Sequence, residues 1–134
     1  MPASITSTTG GLTHGNPFVG PVNHTRQIKP DISALTTAEI DENGYLKPGV
    51  PFTAAGLLPG AGTVVFGVTV EATKVAASNA AAAIAAVTTD PFVTVATLCQ
   101  VSQDIIEDNL GRALTADELA AFAAAGSLVS LLPT

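Results

Sequence analysis

The side chains able to do acid–base, nucleophilic or metal chemistry are few in this 134-residue chain, and they are scattered. His14 and His24 lie near the N-terminus, with no carboxylate or cysteine at the spacing of a metal site. Asp104, Glu107 and Asp108 in QDIIEDNLG could hold calcium on a loop. Their spacing departs from the EF-hand pattern, however, and a solvated turn is the expectation. Cys99 sits in an apolar run, where a thiol is expected to act as a small buried hydrophobe rather than a nucleophile. No Gly-x-Ser-x-Gly elbow occurs, and the PGAG at 59–62 lacks the lysine and following helix of a phosphate loop. No acid–base or nucleophile constellation is visible, so the expectation is a protein that is not an enzyme and needs no metal or cofactor.

With so little chemistry to position, composition is the next guide. Hydrophobic residues make up 47%, much of it alanine, and Trp is absent. The core must therefore come from Val, Leu, Ile and the five Phe. Charged residues are only 12%, about half the usual share of a soluble domain. A surface so poor in charge is expected to be covered by something else, in an oligomer or an assembly. The net charge of −6 with five Lys and Arg argues against binding to a phosphate backbone, so no nucleic-acid partner is expected. The lone Cys99 excludes an internal disulfide framework and fits synthesis in a reducing cytoplasm. The N-terminal stretch has neither the basic residues nor the apolar run of a signal peptide, and no segment approaches the ~20 apolar residues of a membrane span.

The elements read as mainly β, with one or two short helices on a small barrel- or sandwich-like domain. Residues 1–30 are rich in Thr, Ser, Gly and Pro, and Pro17, Pro21 and Pro30 forbid a continuous central strand. Phe18, Val19, Val22 and Ile28 are more than a solvated tail requires, so this region is expected to be an extended arm that orders on a partner. A β-rich domain then covers residues 31–134. DISALTTAEI (31–40) fits a strand or a short helix. DENG (41–44) is a turn signal, with Asn43-Gly44 suited to the positive φ angles of a tight hairpin. TVVFGVTV (63–70) alternates, with Val64, Phe66, Val68 and Val70 on one face, and Gly67 marks a bulge or a close backbone approach. The alanine island ASNAAAAIAAVTTDP (77–91) reads equally as a short helix near 79–87 or as an inserted loop. FVTVATLCQV (92–101) is apolar on both faces and reads as a central strand.

The C-terminal unit is the most fully specified. Thr115 is the N-cap and Glu118 stands at N3, the Thr-x-x-Glu of a reciprocal capping box. Leu114 and Leu119 have the spacing of a hydrophobic staple, and Gly126 is placed to end the helix in the left-handed region. Leu119, Phe122 and Ala123 form the expected inward stripe, and SLVSLL (127–132) reads as a closing strand.

These segments carry a resemblance. ATLCQVSQDIIEDNL, then TADELAAFAAAG, then SLVSLL, is similar to the end of lambda-type head decoration proteins of tailed bacteriophages. Upstream, NGYLKPGVPF and VVFGVTVEA resemble further segments of that family, so the similarity spans roughly residues 43–132, interrupted by the alanine island. The resemblance implies a capsid cement protein without catalytic residues, a homotrimer on the outer surface of the expanded phage head. Its partner would be the major capsid protein, gripped by the N-terminal arm through added strands. On that reading Pro17, Phe18, Val19, Val22 and Ile28 are the candidate capsid-binding residues, and Val64, Phe66 and Val68 the candidate trimer contact. Two alternatives stand beside it. One is another virion component, a tail- or fibre-associated β module. The other is a biotin-carrier-like domain, because VEATKV (70–75) is similar to the Glu-Ala-Met-Lys-Met signature around the acceptor lysine, although Thr73 and Val75 replace both methionines.

Overall fold

The computed structural model describes residues 6–9 and 12–133, with side chains from His14 onward. Among these the chain forms strands β1 (Thr6–Thr9), β2 (Leu12–Gly15) and β3 (His24–Ile28), and a 3-10 turn at Ile32–Ala34. Strands β4 (Tyr45–Leu46), β5 (Pro51–Phe52), β6 (Gly67–Thr69) and β7 (Thr73–Lys74) follow, then helix α1 (Ala81–Ala85). The chain ends with β8 (Val93–Ser102), α2 (Gln103–Leu110), α3 (Ala116–Ala123) and β9 (Val129–Leu132). The protein is mainly β with short helices, as its patterning predicts.

Strand β8 organises the sheet. Val93, Val95 and Val101 are buried on one face and Ala96 and Ser102 on the other, so both faces are covered at its two ends, while Leu98 and Gln100 stay exposed. On one side it pairs antiparallel with β3, from His24 opposite Leu98 to Ile28 opposite Val93. The strand pairing continues back along the chain, since Val19 N–H donates to Gln100 O and Ser102 N–H donates to Pro17 O. Its other partners are β6, at Ala96 and Val95, and β9, which runs parallel to it from Cys99 to Ser102. The parallel closing strand requires a crossover, and α2 and α3 supply it. Gly67 is needed where β6 meets β8: a Cβ there would stand 2.7 Å from Val95 Cγ2 and 2.9 Å from Ala96 O. Phe52, Ile32, Ile40, Leu46, Val50 and Ile106 fill the interior, all fully buried. No helix among the described residues is long and apolar enough to cross a membrane.

Several expectations are corrected. The boundary at residues 30 and 31 cuts through the fold, because Ile28 lies in the core and Pro17 packs against Gly49 and Ile106. Residues 1–5, 10 and 11 of the expected arm lie outside the described residues. Of the two readings of DISALTTAEI the short helix holds, as a 3-10 turn at Ile32–Ala34 followed by a hydrogen-bonded turn from Thr36 to Glu39. At DENG only Gly44 adopts a positive φ, +82°, while Asn43 does not. The reason is Asp41, whose Oδ1 accepts from the N–H groups of Asn43 and Tyr45 and so shapes the turn itself. The alanine island forms the one-turn α1, held by buried Ile84. QDIIEDNLG is a helix instead of a solvated turn: Ser102 caps Ile105 N–H, Ile106 and Leu110 are buried one turn apart, and Gly111 ends it in the left-handed region.

Helix α3 has both halves of its capping box, but it stops at Ala123. Ala124 is extended, and Gly126 has no positive φ, because Ala124 N–H and Ser127 N–H close two successive tight turns. Its buried face is Glu118, Ala121 and Phe122 rather than Leu119, Phe122 and Ala123. Glu118 is turned inward by Arg112, while Leu119 points outward and stays partly exposed.

Candidate functional surface

A few charged side chains are buried and paired inside the fold, Glu39, Asp41 and Glu118 among them. Arg112 forks onto Glu118, with Nη1 2.8 Å from Oε1 and Nη2 3.2 Å from Oε2, and its Nη2 also reaches Glu39 Oε2 at 3.1 Å. Each carboxylate belongs to its own Thr-x-x-Glu unit: Thr115 N–H donates to Glu118 Oε1, and Thr36 N–H and Oγ1–H donate to Glu39 Oε1. Burial pushes the Glu118 carboxyl up, but the hydrogen bonds from Arg112 and Thr115 outweigh it and leave the group below the ordinary carboxylate range. Hydrogen bonding to Glu118 likewise raises the Arg112 guanidinium. The Glu39 half of this staple was missed in the sequence, although TTAE at 36–39 carries the same spacing as TADE at 115–118.

Other polar groups are paired in the same way. His14 Nε2 lies 3.0 Å from Asp41 Oδ2, and both side chains are buried. The 27 residues between them hid this pair from any reading of ligand spacing. Lys47 Nζ donates to Asn109 O at 2.7 Å, and burial lowers its pKa against the opposing pull of Asp41 and Glu39. The Asn109 side chain in turn clamps Gly15, accepting from its N–H and donating to its carbonyl. Glu107 accepts from Leu114 N–H and from Gln103 Nε2 and so serves the helix junction, while Asp104 and Asp108 are exposed. No group of three His, Cys, Asp or Glu among the described residues could hold a metal ion. Cys99 is half-buried against the core, and burial pushes its thiol up to about 11. Lys74 lies within β7 opposite Tyr45, not at the tip of a hairpin where an acceptor lysine would be presented.

Several large apolar side chains remain outside. Leu128 is 64% exposed, Phe92 61%, Leu57 47% and Leu98 45%. Two adjoining grooves gather part of this surface. One, of about 320 Å³, lies between Arg26 and Thr97 on the sheet and Val64, Gly126 and Leu128 opposite. The other is lined by Ala54, Leu57, Leu58 and Val64 between two tight turns. They exist because residues 63–66 leave the sheet to meet α3, where Val65 N–H donates to Ala121 O and buries the Val65 side chain.

The candidate contact residues therefore divide. Val64 is exposed at the junction of the two grooves and Phe66 lines the first, whereas Val68 is fully buried beneath β8 and offers no surface. The alternation assigned to 63–70 fails because only Gly67–Thr69 is strand, and all three of its residues are covered. Pro17 and Ile28 are buried, Phe18 and Val22 pack partly against the core, and Val19 alone of the five is largely exposed. No family model, curated protein or solved structure matches this chain.

Proposed function

We propose that this protein is a non-catalytic capsid decoration protein, a cement that binds the outside of an expanded phage head as a trimer and stabilises the shell against the major capsid protein. The observation that supports the reading is the division of its side chains. Two charged clusters, the Arg112 staple and the His14–Asp41 pair, are held inside, while apolar residues surround two open grooves at Val64. Such a surface suits a molecule that works when covered. The resemblance of residues 43–132 to head decoration proteins supplies the kind of assembly. Attachment by three copies at once would multiply modest contacts through effective concentration.

Because residues 14–28 are part of the domain, the capsid-binding arm is proposed to be residues 1–13. The test is co-sedimentation of purified protein with expanded and unexpanded heads of the phage that encodes it. Intact protein is expected to bind expanded heads, and protein lacking residues 1–13, which removes the β1–β2 pairing, to lose that binding while β8 keeps its amide protection. Equal binding by the shortened protein would remove the arm mechanism. Absence of density on the head in electron micrographs of the virion would overturn the decoration role.

A further inference from the structure

We propose that the outer edge of β3 is a docking site for an extended, acidic segment of another polypeptide, which joins the central sheet as its next strand. Strand β3 is the last in the order β3-β8-β6-β5, and no described strand pairs with its outer side. His24, Thr25, Arg26 and Gln27 are all exposed, and no proline interrupts 24–28. An edge of this kind presents unpaired N–H and C=O groups to any extended chain.

Charge selects the occupant. Of the five Lys and Arg, three are committed within the fold: Lys47 to Asn109 O, Lys74 to Asn43 O and Arg112 to the two glutamates. The other two, Arg26 and Lys29, lie on β3 and directly after it. Among the described residues the Arg26 side chain makes no ion pair or hydrogen bond, and the Lys29 ammonium overlies the Phe92 ring, 5.3 Å from its centroid. The two cations whose side chains make no hydrogen bond to the fold thus both lie on or beside one strand edge. A second copy docking edge to edge in antiparallel register would set Arg26 opposite Arg26 or opposite Lys29, which disfavours self-pairing. In a strand with glutamates at alternate positions, all on one face, a glutamate can lie beside Arg26, while Lys29 on the other face adds longer-range attraction. This inference is independent of the capsid reading, since it needs only the edge and its charges.

The test uses the full chain, labelled with nitrogen-15, and the synthetic peptide Ac-TEVEVET-NH2. Chemical-shift changes and slowed amide exchange are expected along residues 24–28, with binding weakened about tenfold by Arg26→Glu and reduced as salt is raised from 50 to ~300 mM. Arg26 is exposed and unpaired, so the variant is expected to keep the native spectrum elsewhere. No perturbation of residues 24–28 at millimolar peptide, or equal binding by Ac-TKVKVKT-NH2, would overturn the proposal.

Discussion

Arg112 is the one cation serving two carboxylates that water scarcely reaches, Glu39 and Glu118. Replacing it with Met would leave both acids buried without a counter-charge, held only by their Thr36 and Thr115 hydrogen bonds. A loss of about 3 kcal/mol is expected in urea denaturation, toward the low end for a buried pair because Arg112 itself is partly exposed. The same staple sets an acid limit. Glu118 is held below its ordinary pKa, so folding favours its ionised form, and that stabilisation is present above the ordinary carboxylate range and lost as pH falls through the lowered value. The denaturation midpoint is expected to hold from pH 7 to about 5 and to fall below roughly pH 4, with a weaker fall in Arg112→Met. Cys99 makes a second residue-level test. With its thiol pushed up to about 11, iodoacetamide at pH 8 is expected to alkylate it about a hundredfold more slowly than a free thiol. A rate equal to that of glutathione would show that the thiol is not shielded.

Among the elements, α3 and β6 depend on single positions. Thr115→Ala removes the side-chain acceptor of Glu118 N–H and is expected to cost about 1 kcal/mol, measured by thermal or urea unfolding. Gly67→Ala places a methyl against Val95 and the Ala96 carbonyl where β6 meets the central strand, and an overpacking cost of about 2–3 kcal/mol is expected. Both positions were legible in the sequence, as a capping box and as a glycine inside an apolar run. Helix α2 was also legible in hindsight, through Ser102, the Ile106–Leu110 spacing and Gly111. Its three acids suggested a solvated turn instead. The end of α3 was not legible, because its termination depends on turns through Ala124 and Ser127 that no residue type announces.

For the whole molecule, residues 14–28 are tied into the domain by His14–Asp41, Gly15–Asn109 and the β3–β8 pairing. Removing residues 1–28 would strip β3 from the central strand and Ile28 from the core, so this truncation is expected to unfold the domain. Removing only 1–13 spares these contacts, and amide exchange should distinguish the two variants by whether β8 stays protected. Proline content had marked the whole first 30 residues as an arm. Yet the chain satisfies Pro17 through its carbonyl and places Pro21 and Pro30 outside the paired strand, so prolines flank β3 without interrupting it.

The sequence by itself determined the β-rich class, the central role of residues 93–102, the capped C-terminal helix and the closing strand, because each is written in short-range periodicity and capping chemistry. It also determined that charge would be scarce. Only the tertiary structure decided where that charge goes: His14 to Asp41, and Glu39 to Glu118 through Arg112, across 27 and 79 residues of chain. Only folding, too, made an edge strand of residues 24–28 and left Arg26 unpaired upon it. Pairing across such separations depends on which surfaces the core brings together, and local pattern carries no record of that.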